Sequence, residues 1–229
     1  MTAALVGTPV AIDSGGTYTA ESGSNRIVAF VVMAEDSTTA RTLNSLSFGG
    51  DSATVVANQA SGTRMTVAIA YVLEANIPSG AQTVTATFNT APNETARIHC
   101  YTFSGCAQSS PVTSSVGQTG AVASFTQTLD PTIVNGFLVA GAIAAVNSTG
   151  YTWTNAAEVF DEALTNSRTS SAYLLIDGTT EQIVANRGST TSQGFAAAAF
   201  APASAVLPGP SIIVAPRRQV FVIDKTIQH

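Results

Sequence analysis

Arg26-Ile-Val-Ala-Phe-Val-Val-Met33 is a nearly unbroken apolar run, and Gly136-Phe-Leu-Val-Ala-Gly-Ala-Ile-Ala-Ala-Val146 is a second one. Short runs rich in Val, Ile and Phe and bounded by turn residues read as strands covered on both faces. From the first run onward, the apolar period is two. Leu43–Phe48 alternates and stops at Gly49-Gly50, and Ala53–Ala57 is a short strand. Met65–Leu73 (MTVAIAYVL) alternates and is closed by Ile77-Pro78-Ser79-Gly80. Gln82–Phe88 (QTVTATF) points its threonines one way, and Arg97–Phe103 (RIHCYTF) follows.

Beyond Ala121–Leu129 and the Asp130-Pro131 turn the order begins again. The run from Gly136 is followed by Tyr151–Thr154, Ser170–Ile176 (SSAYLLI), Gln182–Ala185 and Gly194–Phe200 (GFAAAAF). This predicts a weak internal duplication, residues 25–105 against 134–201. Each half alone presents an apolar sheet face that needs a cover, so the halves are expected to pack face to face around a shared core. The expected fold is all-β: one antiparallel, jelly-roll-like β-sandwich over residues 1–201, built from two weakly similar halves. Helix is expected almost nowhere. Asn155–Leu164 has some helical spacing through Glu158 and Glu162, enough for a turn or two. Ala196–Ala199 suits a helix by propensity, but its flanking Phe195 and Phe200 and its place in the repeat make it a strand.

Only 10% of the residues are charged, against roughly 25% in an ordinary domain. The surface must therefore be covered by Thr, Ser, Asn, Gln and Gly, which suits pleated sheets lying against another surface. Residues 1–201 hold six arginines against thirteen acids, a net of −7, whereas 202–229 hold Arg217, Arg218 and Lys225 against Asp224. An acidic body disfavours nucleic acid as a partner, because phosphate binding rests on clustered Lys and Arg. The N-terminus has neither the basic region nor the apolar core of a secretory signal. No uncharged apolar run reaches the ~18–20 residues that span a bilayer, so neither export nor a membrane partner is expected. Cys100 and Cys106 are the only cysteines. On one extended strand they stand about 20 Å apart, beyond disulfide reach unless Gly105 turns the chain, and both read as small buried residues.

The C-terminal end differs from the rest. Residues 202–210 form a Pro-rich linker. Residues 211–229 read as an extended, strand-forming arm with two apolar segments, SIIVA (211–215) and QVFVI (219–223), around Pro216-Arg217-Arg218. Such an arm either folds back on its own body or adds to another chain's sheet edge. Its candidate contact residues are Ile212, Ile213, Val214, Arg217, Arg218, Val220, Phe221 and Val222.

No catalytic set is evident. A hydrolytic triad needs a nucleophile, a base and an orienting acid, and the histidines are His99, inside a strand, and the terminal His229. His99 and Cys100 are neighbours on a strand and face opposite ways, so they form no dyad. Two cysteines and one mid-chain histidine are too few for zinc, and no phosphate loop, EF-hand or dinucleotide fingerprint occurs. Loop carboxylates at Glu35-Asp36 or Asp161-Glu162 leave calcium open, and no cofactor is expected. Tyr151 and Trp153 lie two apart and share a face. They are either a glycan platform or part of the core of the second half.

The succession NRIVAFVV (25–32), LSFGGDSAT (46–54), RMTVAIAYVL (64–73), PSGAQTVTATF (78–88) and YTFSG (101–105) resembles β-sandwich proteins encoded by tailed bacteriophages and some bacteria. The tail VAPRRQVFVIDK (214–225) is similar to Pro-Arg-Val segments in small phage structural proteins. The second half lacks a Phe-Gly-Gly turn and matches more loosely. The resemblance implies a virion component without catalytic residues: a capsid decoration (cement) or head accessory protein, made in the host cytoplasm and located in the virion. Its expected partners are other virion proteins, such as the major capsid protein or head or tail subunits, and further copies of itself. The alternative is a carbohydrate- or receptor-binding module of a tail or fibre, and a weaker third is a hydrolase whose acids no motif singles out.

Overall fold

A computed structural model of the chain describes residues 1–204, apart from 40, 62–63, 117–119, 129–132, 180–181 and 189–191; residues 205–229 lie outside the described residues. The first half contains β1 (Ala4–Asp13), β2 (Thr17–Thr19), β3 (Ile27–Glu35), β4 (Leu43–Phe48), β5 (Asp51–Ser61), β6 (Met65–Leu73), β7 (Ala81–Phe88) and β8 (Arg97–Ser104). The second contains β9 (Thr113–Val116), β10 (Gly120–Ala121), β11 (Ser124–Thr128), β12 (Phe137–Ala144), β13 (Thr152–Thr154), β14 (Ala157–Ala163), β15 (Arg168–Leu175), β16 (Gln182–Asn186) and β17 (Ser192–Phe200). Among the described residues the only helical element is the single 3-10 turn Glu74–Asn76.

Every pairing among the described residues is antiparallel. The first half is one eight-stranded sheet in the order β1-β8-β3-β6-β5-β4-β7-β2. Strand β5 pairs with β4 through Leu46↔Ala53 to Phe48↔Asp51 and with β6 from Thr54 onward, so the sheet turns along β5 and closes over itself. Gly49 and Gly50 join β4 to β5 with φ of 65° and 94°, the two left-handed positions that a tight hairpin turn requires. The second half repeats this order. β12 sits between β15 and β17 as β3 sits between β6 and β8, and β14 flanks β15 as β5 flanks β6. The three-stranded sheet β11-β16-β13 stands where the first half has β2-β7-β4. The duplication expected from the sequence is therefore present strand by strand. Each half starts earlier than expected, however, at the edge strand β1 or its counterpart β9–β10.

Three apolar cores separate four layers. In β3, Val28, Phe30, Val32 and Ala34 point into the first half's own core with Leu46, Phe48 and Val84. The alternate residues Ile27, Ala29, Val31 and Met33 point the other way, against Phe137, Val139 and Ile143 of β12 and Ala196, Ala198 and Phe200 of β17. The second half closes a third core around Phe125, Leu138, Ile183 and Phe195. Both faces of β3 and β12 are covered, which is why those runs carry no polar alternation. An aromatic ladder crosses the junction of the halves: Phe103 stacks on Phe137 at 3.8 Å between ring centroids, and Phe137 on Phe200 at 4.8 Å. Sheets built from Gly141, Gly194 and the alanines of β17 approach closely. A methyl group at Gly141 would overlap Val31 Cγ1.

Three local expectations change. Asn155–Leu164 is not helical; most of it is strand β14, an edge strand bonded to β15 alone. Ala53–Ala57 is the middle of the longer β5. The linker does not leave the body at residue 202: Cys106 forms an isolated backbone bridge with Pro202, and the Ala203 N–H donates to the Gly105 carbonyl at 2.8 Å. Cys100 and Cys106 are free, buried thiols in two different cores.

Candidate functional site

Strand β8 faces two ways. Ile98 and Cys100 enter the first half's core, and Arg97, His99 and Tyr101 line up on the face that meets the second half. There, Phe160 and Glu162 of β14 and Ser171 of β15 receive them. Arg97 clamps Glu162 with two hydrogen bonds, Nε to Oε2 at 2.8 Å and Nη2 to Oε1 at 2.7 Å, and reaches Asp13 of β1 at 3.1 Å. His99 is enclosed completely, with Nε2 3.1 Å from Glu162 Oε2 and Nδ1 2.6 Å from Ser171 Oγ. Its ring lies 4.4 Å from that of Phe160. The Tyr101 hydroxyl is also 2.6 Å from Ser171 Oγ. One polar line therefore runs from Asp13 through Arg97, Glu162, His99 and Ser171 to Tyr101, and ties β1 and β8 to β14 and β15.

The electrostatics follow from that geometry. Hydrogen bonds from Arg97, then from His99, hold the Glu162 carboxyl down at about 2 against the upward push of its partial burial. For His99, burial outweighs the attraction of Glu162 and pushes the imidazole below its usual value, so it is neutral near pH 7. The order carboxylate–imidazole–hydroxyl is that of a hydrolytic triad. But Ser171 and His99 are 0% exposed, and Ser171 Oγ is already engaged twice. The seam works as a lock between the halves, with no path for an acyl donor to Ser171.

At the open end of this seam is a cleft of about 660 Å³ lined by Asp13, Asn93, Glu94 and Thr95 from the first half and Ala163 to Asn166 from the second. Glu94 spans it, accepting the Asn166 N–H at 3.2 Å and the Ser167 hydroxyl at 2.6 Å. Apart from Ala163 and Leu164 the walls are carboxylate, amide and hydroxyl, with no aromatic side chain among the lining residues.

The carboxylates considered for calcium are each committed to an arginine. Glu35 pairs with Arg64, Asp36 with Arg41 at 2.9 Å, Asp161 with Arg168 at 2.6 Å, and Glu162 with Arg97. Burial pushes the Asp36 carboxyl up, but the N–H groups of Thr38 and Thr39 and the Arg41 guanidinium overcome it and hold the group far below the carboxylate range. Among the described residues no three metal-ligating side chains cluster. Tyr151 is 3% exposed and its hydroxyl donates to Gln193 at 2.9 Å. Trp153 is half-buried, donates from Nε1 to Ser170 at 2.8 Å and packs on Phe195. The pair thus belongs to the third core, and Tyr151 offers no ring face to a sugar. Ile212, Ile213, Val214, Arg217, Arg218, Val220, Phe221 and Val222 lie outside the described residues.

In the sequence His99 reads as an isolated sheet-face residue. Its partners are 63 and 72 residues away in the chain, and no local spacing announces them. The alternation Arg97-x-His99-x-Tyr101, three hydrogen-bonding groups on one strand face, is the available signal. No family model matches the chain, and no curated protein or solved structure matches it significantly.

Proposed function

We propose that this protein is a virion structural component of a tailed bacteriophage, of the capsid decoration or head accessory kind. Its β-sandwich body lies on the particle and its C-terminal arm anchors it. The observation that carries the reading is where the cations are. All six arginines of the body are used internally. Arg26, Arg41, Arg64, Arg97 and Arg168 pair with Glu74, Asp36, Glu35, Glu162 and Asp161. Arg187 donates to the carbonyls of Thr149 and Val146 and lies over the Tyr151 ring. The cations left to recognise a partner are Arg217, Arg218 and Lys225, set among the apolar segments of the arm. An arm of that composition suits strand addition to a neighbouring subunit, with the guanidinium groups meeting its carboxylates.

A second feature supports a body that rests against a surface. On β7, Thr83, Thr85 and Thr87 are exposed while Val84 is buried behind them. Thr17 lies opposite Thr83, and Ser47 opposite both Thr85 and Ser52. The result is a row of uncharged hydroxyl side chains on one face. The experiment adds the full chain, or the chain ended after Ser204, to capsids that lack it and sediments them. Co-sedimentation of the full chain alone is the expected result; undiminished binding of the shortened chain overturns the anchoring role.

A further inference from the structure

At neutral pH the line Tyr101–Ser171–His99–Glu162 has a single direction. Glu162, held ionised by Arg97, only accepts hydrogen bonds, so His99 Nε2 must carry the hydrogen. In the neutral ring Nδ1 is then bare and accepts the Ser171 hydroxyl at 2.6 Å, and Ser171 Oγ accepts the Tyr101 hydroxyl at 2.6 Å. Each hydrogen has one acceptor. A proton added at Nδ1 turns that nitrogen into a donor. Ser171 Oγ then accepts from the imidazolium, and either its own hydrogen or, if it turns to Tyr101 Oη, the tyrosine's hydrogen loses its partner. The new cation also stands beside Arg97, sharing one carboxylate that Arg97 already holds by both oxygens.

We propose that His99 is a proton-operated latch between the two halves, and that its protonation releases β14 from the seam and opens the adjoining cleft. The groups around the ring are few. Strand β8 brings Arg97 and Tyr101, β14 brings Glu162 and Phe160, and β15 brings Ser171, with Tyr173 beyond Tyr101. Asp13 of β1 stands behind Arg97 with its side chain 62% exposed, and β1 and β3 set Ala11 and Val31 opposite His99. Among the described residues no second carboxylate is in reach to compensate the added charge. Strand β14 is the element that yields, because it is an edge strand, half-buried, and Phe160 and Glu162 both touch His99. The aromatic ladder meets this line only through Tyr101, whose ring stacks on Phe103 with centroids 6.1 Å apart, and β14 contributes no ring to the ladder itself.

The histidine's basicity is lowered in the folded state, so the closed form is fully favoured above about pH 6.5 and loses ground as pH falls below it. One proton per opening makes the opening equilibrium rise by up to about tenfold per pH unit between there and the lowered value of the closed form. Hydrogen exchange of residues 157–164, normalised for intrinsic exchange, is measured from pH 7.5 to 5 beside an imidazole NMR titration. The expected result is that rise in 157–164, none in 27–33, and a His99 ring that takes its proton only as 157–164 opens. His99→Gln, which still donates to Glu162 but binds no proton, should flatten the dependence. Glu158→Gln should leave it intact, which excludes the one β14 carboxyl that burial and Asp161 push above its ordinary value. Free titration of His99 near 6.5 with unchanged protection of 157–164, or equal pH dependence in wild type and His99→Gln, overturns the latch. If His99→Gln does not fold, the two wild-type readouts decide alone. The latch does not depend on the assembly role proposed above.

Discussion

At Gly141 the two halves come so close that a methyl group has no room beside Val31. Val31 is β-branched and buried, so it cannot rotate away cheaply. Gly141→Ala should cost about 1–3 kcal/mol through overpacking, read as a lowered urea midpoint with an unchanged slope. The cysteines make a second residue-scale case. Burial pushes the Cys106 thiol up to about 12, and Cys100 higher still. In the folded protein neither should react with a thiol reagent over hours, and both should react within minutes in denaturant. Burial of the cysteines is legible in the sequence, since both stand in or beside an apolar strand. The role of Gly141 is not, because the valine it makes room for belongs to a strand about a hundred residues away.

At the scale of elements, the strands most legible in the sequence are those covered on both faces. β3, β6, β12 and β17 are buried throughout most of their length, and their apolar runs say so. The strands that escape such a reading are edges. β1 carries Gly7 and Pro9 and shifts register between Val6 and Val10, devices that blunt an edge and also erase alternation. β14 carries Glu158, Asp161 and Glu162, which break its apolar period and suggest a helix. Two of those carboxylates are tolerated there because Arg168 and Arg97 meet them from β15 and β8. Strand β14 should therefore depend on those ion pairs. Glu162→Gln is expected to lose about 1.5–3 kcal/mol at pH 7. Because the folded carboxyl sits at about 2, the wild type keeps this stability above its unfolded value near 4.5 and loses it as pH falls towards 2. The Gln variant should lack that part of the acid limb in a pH series of urea melts. Strand β7 offers the opposite kind of test. Thr85→Lys on the exposed hydroxyl face should change stability by less than about 1 kcal/mol and, under the assembly role proposed above, weaken capsid co-sedimentation.

For the whole molecule, three cores in four layers mean that each half encloses a core yet leaves one large apolar face to the other. Residues 1–107 expressed alone should bind a hydrophobic dye and aggregate. Adding residues 108–204 on a second chain should restore a soluble complex, seen by size-exclusion chromatography. The described residues enclose all three cores, so ending the chain after Ser204 should leave its melting temperature within about 2 °C of the full chain. Cutting at residue 201 instead removes the Pro202 and Ala203 contacts that fasten the end of β17 to Cys106 and Gly105, and should lower it.

The all-β class, most of the strands, the repeat and the basic arm set against an acidic body are written in the order of the residues. These are local or additive properties: period, turn chemistry and charge are read one position at a time. That each half closes over a core of its own besides the one the halves share is a matter of packing instead. So is the placement of Tyr151 inside, and the meeting of Arg97, His99, Glu162 and Ser171 in one line. Those outcomes depend on which strand faces which, and facing is set by sheets closing over one another across dozens of residues, a relation that leaves no mark in the spacing of any single stretch.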